Sequence, residues 1–262
     1  MTAADKRRLA PLLSQVREHL EGGIVPFWLA RAPDRRFGGF LTNFDGAGRP
    51  LDTPEKYLNT QARLVWWFSR LLRRWGGRED LAALARGGVD FLLRHFWDEP
   101  RGGWRWKVRR DGSPLDDGKV VYAQSFAIYA LSEYAAATGD ARGLQYAERT
   151  FELLQVHCAD TLRGGYYENL EPDWTVSPGG PCAGDRKSLD THMHLMEAFT
   201  SLYAASGREI HRRKLLEVAE LICRRMVDRA TGCGRNQFDL EWTSIPAIAI
   251  RRTWNAERQG QA

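Results

Sequence analysis

The sequence predicts an all-α fold made of repeated helical hairpins, set in two concentric layers and punctuated on one rim by short β-hairpins. Three observations predict it. A glycine-led turn recurs at a nearly fixed interval; two helical patterns separate each turn from the next; and the first pattern of each pair is apolar nearly all round, while the second is amphipathic.

The turns read "FGGFLTNFDGAGRP" from residue 37, "RGGWRWKVRRDGSP" from 101, "RGGYYENLEPDWTV" from 163 and a degenerate "TGCGRNQFDLEWTS" from 231. From Gly38 to Gly102, Gly164 and Gly232 the intervals are 64, 62 and 68 residues. A period of this size marks one stacked supersecondary unit. Paired glycines, an aromatic, alternating residues and then Asp-Gly read as a β-hairpin rather than a flexible linker.

Between the turns, "EKYLNTQARLVWWFSRLLRRWG", "KVVYAQSFAIYALSEYAAATGD" and "KSLDTHMHLMEAFTSLYAASG" are the more apolar helices. Their partners "REDLAALARGGVDFLLRHFWD", "DARGLQYAERTFELLQVHCAD" and "REIHRRKLLEVAELICRRMVD" each carry a charged side. A helix apolar all round is buried and one with a single apolar stripe covers it, so the first set is inner and the second outer. The turns then fall on one rim of a helical toroid. The aromatics Phe40, Trp104, Trp106, Tyr166 and Tyr167 at that rim either meet a ligand in a central cavity or pack the hairpins onto the helix ends.

The inner helices carry polar groups that a buried helix should lack. Asp190, His194 and Glu197 stand at i, i+4 and i+7, so one face presents two carboxylates and an imidazole. Lys56, Asn59 and Arg63 precede Trp66, Trp67 and Phe68, while Tyr122 and Gln124 interrupt "VVYAQSFAIYAL". Buried polar groups are costly unless something satisfies or uses them. Three helices bringing them to one cavity, together with aromatic walls, suit a polyhydroxylated ligand, and Tyr122, Asp190, Asn59 and Trp104 are the candidate substrate contacts. His192 lies about 200° round the helix from His194, so the two cannot share a face as metal ligands, and no metal is expected. No phosphate-binding loop, dinucleotide fingerprint or nucleophile elbow is present.

The 262 residues, 43% hydrophobic, can bury a sizeable core, and the repeat treats residues 1–262 as one toroid domain with an atypical tail from 246 to 262. The formal charge of +5 comes from scattered arginine pairs interleaved with acids, which argues for a solvated surface and against nucleic acid. No apolar leader or membrane-length segment is seen, so a cytoplasmic location away from membranes is the default expectation. Cys158, Cys182, Cys223 and Cys233 form no C-x-x-C pair and are expected to be reduced and structural.

At "GGF" with its turn, "KYLNTQARLVWWFS", "VYAQSFAIYALSEYAAATGD" and above all "KSLDTHMHLMEAFTSLYAA", the chain resembles the N-acylglucosamine 2-epimerase superfamily. That superfamily includes cellobiose 2-epimerases, mannose isomerases and sulfoquinovose isomerases. The last segment is the most specific, since the family's inner helix there typically reads N-T-H-L-H-L-L-E-A, and the similarity runs to about residue 245. The resemblance implies an (α/α)6 barrel and a cofactor-independent reaction on a mono- or disaccharide. In that reaction a histidine takes the proton beside an aldose carbonyl, and an enediolate is reprotonated at C2 (epimerases) or C1 (isomerases). Carried over, Arg63 steadies the carbonyl or enediolate oxygen, His194 binds the sugar and assists ring opening or proton transfer, and Glu197 supports it.

Two departures follow. Asp190 stands where the family usually has asparagine, so when ionised it accepts hydrogen bonds without donating them. Six hairpins at this period need about 390 residues, and neither the family's G-H-D-I-E-like motif nor its C-terminal histidine is found. The expectation is a C-terminally truncated family member whose open edges favour self-association. Two alternatives remain beside an active isomerase. One is an inactive chain that at most binds carbohydrate. The other is another toroid enzyme, such as a glycoside hydrolase, which Asp190 and Glu197 fit poorly because they share one helix face.

Overall fold

The computed structural model describes residues 3–177, 184 and 186–245; the expected tail at 246–262 and Cys182 lie outside them. Helices α1 (Ala3–His19) and α2 (Val25–Arg31) lead into strand β1 (Glu55–Tyr57) and helix α3 (Leu58–Trp75). Then follow α4 (Glu79–Phe91), β2 (Lys107–Arg109), β3 (Pro114–Asp116), β4 (Lys119–Val120), α5 (Val121–Thr138) and α6 (Ala141–Leu153). The order closes with β5 (Asn169–Leu170), β6 (Arg186–Ser188), α7 (Leu189–Ser206), α8 (Glu209–Leu221) and β7 (Gln237–Asp239). Inner helices α3, α5 and α7 stand side by side with α5 in the middle, and α4, α6 and α8 back them in turn. No described helix is long and apolar enough to cross a membrane.

Each hairpin is built the same way. The inner helices end on glycines with positive φ, Gly139 at 73° and Gly207 at 65°, which release the chain without a Cβ clash. Asp140 caps α6 by accepting from the Arg142 amide at 3.0 Å. The outer helices α4, α6 and α8 all widen in their final turn into a π segment, at Leu92–Phe96, Leu154–Cys158 and Ile222–Met226, before delivering the rim turn.

The rim turns are bound to one another as well as folded on themselves. β1 pairs antiparallel with β2, β4 with β5 and β6 with β7, so the strand leading into each inner helix is hydrogen-bonded to the following turn. Only β2–β3 forms a hairpin of named strands within one turn. The second glycine of each pair meets the inner helix closely. A Cβ on Gly103 would lie 3.3 Å from Gln124 of α5 and 2.4 Å from Trp174 of the next turn, and one on Gly165 would lie 2.7 Å from His192 of α7, both at φ above +70°.

The structure reassigns two polar groups, Lys56 and Gln124, that the sequence placed toward a cavity. Lys56 sits in β1 rather than on the helix face, 3% exposed, with its ammonium 3.0 Å from Asp34 and 2.6 Å from the Gly38 carbonyl. The same clip recurs as Lys119–Asp98 at 2.7 Å and Lys187–Asp160 at 2.8 Å, each pinning a turn to the next inner helix. Burial draws the pKa of all three lysines downward, against the pull of their carboxylates. Gln124 spans the Trp104 backbone, accepting from its amide at 3.0 Å and donating to its carbonyl at 2.7 Å, as Gln61 does for Phe40. His192 fills that slot in the third unit: Nε2 accepts from the Tyr166 amide at 3.0 Å, and Nδ1 meets the Ser188 carbonyl at 2.7 Å.

Cys158, Cys223 and Cys233 are unpaired, but only Cys158 lies in the core; Cys223 and Cys233 are exposed, which removes the expected structural role for those two.

Candidate functional site

The polar residues nearest the rim ends of the three inner helices converge. Arg63 lies in the second turn of α3, Tyr122 in the first turn of α5 and His194 in the second turn of α7. Arg63 donates to the Tyr122 hydroxyl at 3.5 Å, and its guanidinium stands 4.5 Å from the centre of the Phe126 ring. The His194 ring lies 4.7 Å from Phe126 and 5.0 Å from Tyr122. Phe126 therefore carries a cation and an imidazole in fixed relation, which the packing of α5 between α3 and α7 enforces.

Two carboxylates from the same helix flank the imidazole. Glu197 Oε2 lies 2.7 Å from Nδ1 of His194, a hydrogen bond, while Asp190 Oδ1 lies 3.6 Å from Nε2, beyond one. A carboxylate at Nδ1 holds the proton there, so the neutral ring presents its lone pair at Nε2. The His194 side chain is 13% exposed, whereas Asp190 and Glu197 are more than half exposed.

Three cavities adjoin this cluster. One of about 520 Å³ is bordered by Arg63, Trp28, Thr42 and Trp67; one of about 640 Å³ is bordered by Glu197, Met196, Leu215 and Leu216. Trp66 and Tyr129 border both. Burial raises the pKa of the Tyr129 phenol and keeps it protonated. A rim cavity of about 310 Å³ is lined by Trp106, Tyr122, Glu168, Asp190, Asn236 and Gln237, among others. Among the described residues no cluster of three His, Cys, Asp or Glu is placed to hold a metal ion.

Of the residues named from sequence, Arg63, Tyr122, Asp190, His194 and Glu197 come together. Asn59 does not join them: its Oδ1 accepts from the Thr60 amide at 3.0 Å, and it borders none of the three cavities. Trp104 is corrected outright. It is fully buried, its indole donates to Thr150 at 2.8 Å, and it packs against Trp97 at 5.0 Å. Phe40 and Tyr166, at 2% and 1% exposure, fill the equivalent slots, so these aromatics pack the hairpins onto the helix ends.

The cavity is instead reached by the residue two further on. Thr42, Trp106, Glu168 and Asn236 each lie four residues after the first glycine of their turn, and each lines a cavity. Sequence reading missed Glu168, Asn236 and Gln237, although aligning the four turns on their glycines and applying the strand period of two exposes the first two. Burial raises the Glu168 carboxyl's pKa, against the hydrogen bond that Thr191 donates to it at 3.0 Å.

A cellobiose 2-epimerase of Bacteroides fragilis is 33% identical over 93% of this chain and 64% of its own length. A mannose-6-phosphate isomerase of Rhizobium meliloti is 28% identical over 87% of this chain and 56% of its own. The solved cellobiose 2-epimerase of Bacillus thermoamylovorans superposes with a TM-score of 0.83 at 27% identity, covering 90% of this chain and 61% of that one. The chain thus spans a little under two thirds of these relatives, and its layered helices are those of their (α/α)6 barrels. Residues 38–257 match the N-acylglucosamine 2-epimerase (GlcNAc 2-epimerase) family, and to that family the chain belongs.

Proposed function

We propose that this chain carries the active site of a sugar 2-epimerase or aldose–ketose isomerase working through an enediolate. The observation that carries the reading is the fixed set of Arg63, Tyr122 and His194 around Phe126, with Glu197 on the far nitrogen of the imidazole.

The chemistry follows from charge. An open-chain aldose places a carbonyl oxygen where Arg63 donates, and the cation stabilises the negative charge that grows on that oxygen as the C2 proton leaves. Nε2 of His194 takes that proton, and Glu197 steadies the imidazolium through Nδ1. Returning it to C1, as the O2 proton passes to O1, yields the ketose; the epimer requires a second acid to protonate the opposite face of C2 while His194 keeps the proton it took. The Tyr122 hydroxyl, oriented by Arg63, is placed to hold a neighbouring sugar hydroxyl.

A second reading, sugar binding without turnover, is favoured by one observation: among the described residues no histidine, His194 included, lines any of the three cavities. Incubating the protein with mannose, N-acetylmannosamine, cellobiose and sulfoquinovose and following products by NMR separates the two. A ketose or C2 epimer from any of them supports the isomerase reading; chemical-shift perturbation of a sugar with no product supports the binder; neither outcome with any sugar sinks both.

A further inference from the structure

The rim cavity of about 310 Å³ is joined to the imidazole cluster by two residues. Tyr122, which lines it, accepts from Arg63 at 3.5 Å, and Asp190, which also lines it, lies 3.6 Å from Nε2 of His194. A sugar whose C2 proton points at Nε2 therefore meets this cavity with the substituents next to C2.

The walls of the cavity carry negative charge without a cation beside it. Glu168 and Asp190 both border it, and among the described residues no lysine or arginine does. The basic groups of the neighbouring strands are engaged elsewhere, Lys119 buried on Asp98 and Lys187 buried on Asp160, while Arg63 lines a different cavity. Burial raises the Glu168 carboxyl's pKa and the Asp190 charge adds to that rise, against Arg186 acting from outside the lining, so the two carboxyls are within electrostatic reach of each other.

Hydrogen-bonding capacity is skewed the same way. Thr191 spends its hydroxyl proton on Glu168 at 3.0 Å, which leaves it an acceptor toward the cavity. Gln237, on the opposite wall from β7, has a buried Oε1 with no partner among the described residues, and such an acceptor is costly until a donor reaches it. The Trp106 indole completes the lining with an aromatic face, which attracts cations and packs against the C–H face of a sugar ring.

From this chemistry we infer that the rim cavity sets the charge of the substrate: it takes a donor-bearing substituent, a hydroxyl or better an ammonium, and turns away phosphate, sulfonate and carboxylate groups. The inference rests on the sugar-site reading above and narrows it, to an amino sugar first, a neutral aldose second, and sugar phosphates or sulfoquinovose last. An ammonium brings three donors and a charge opposite to Glu168 and Asp190, whereas an anionic group brings acceptors and like charge. The chain is thereby set apart from its Rhizobium meliloti relative, which is named for a phosphorylated sugar.

NMR titration read at the Trp106 indole N–H tests this with one sugar skeleton in three charge states: mannosamine, mannose and mannose 6-phosphate, at a slightly acidic pH where the amine is protonated. Mannosamine should bind tightest and mannose 6-phosphate weakest, with about tenfold or more between them. Asp190→Asn and Glu168→Gln should each tighten mannose 6-phosphate and weaken mannosamine by about threefold or more while leaving mannose nearly unchanged, opposite signs that a merely structural loss does not produce. Asp190 is more than half exposed, so its variant carries the test even where Glu168→Gln does not fold. Mannose 6-phosphate binding as tightly as mannose overturns the inference. So does an equal change in all three affinities in Asp190→Asn, or the absence of a shift with any of the sugars. Binding in the expected order without turnover upholds it and sinks the catalytic reading alone.

Discussion

α5 and α7 are two copies of one element in different surroundings. Twelve of the eighteen residues of α5 are buried, against six of the eighteen in α7, although both begin at a rim strand and end on a left-handed glycine. α5 packs against an inner helix on each side, α3 and α7, whereas among the described elements α7 packs against one, α5. Burial of an inner helix is therefore set by its neighbours more than by its own composition, and the groups that stay accessible on α7, His194 and Glu197 among them, are the ones with chemistry to offer. The clips repeat the lesson, with Lys119 and Asp98 wholly buried and Asp228 partly open.

The sharpest way to break this comparison is to remove one charge from each setting. Lys119→Ala leaves Asp98 buried without its ammonium and should cost about 3–5 kcal/mol in urea denaturation. Asp228→Ala, at a more exposed pair, should cost about 1 kcal/mol or less. Equal losses would show that the fourth turn is as enclosed as the second.

Histidine 192 sharpens the contrast through pH. Burial holds its pKa at about 4, below the ordinary value near 6.5, so the folded state prefers the neutral ring. Its contribution is fully present above pH 6.5 and is lost as pH falls toward 4, amounting to about 3 kcal/mol. His192→Gln installs the residue found at Gln61 and Gln124 and should flatten urea midpoints between pH 7 and 4.5 relative to the parent. An unchanged slope would place the acid sensitivity elsewhere. His95 and His211, whose pKa values burial also lowers, stay in both proteins and cancel in the difference.

The glycines give a smaller effect. Gly165→Ala forces a Cβ against His192 and Trp242 at positive φ and should cost about 2–3 kcal/mol, while Gly232→Ala, with open space around it, should cost about 1 kcal/mol from backbone strain alone. Thermal melts of the two variants compare them directly, and equal shifts would mean that the third turn yields freely.

The period, the alternation of inner and outer helices and the shared rim were legible because glycine pairs and hydrophobic periodicity are local signals. So was the facing of Asp190, His194 and Glu197, which one helical turn dictates. The clips were not legible, because each joins residues 21 to 27 apart across turns of unequal length. Lys56 consequently read as a cavity residue, although an Asp four before each glycine pair and a Lys five before each Gln or His repeat through the chain. Trp104 misled for a related reason: in an extended turn the first aromatic faces the core and the cavity belongs to its neighbour two residues on.

The central claim is that His194, oriented by Glu197 and packed with Arg63 against Phe126, takes the C2 proton of a sugar. Deuterium wash-in measures it most directly. With the substrate in D2O, the parent should replace the C2 proton with deuterium, and His194→Gln should slow that replacement by about 10²–10⁴-fold while melting at the same temperature. Exchange as fast in His194→Gln as in the parent would contradict the account.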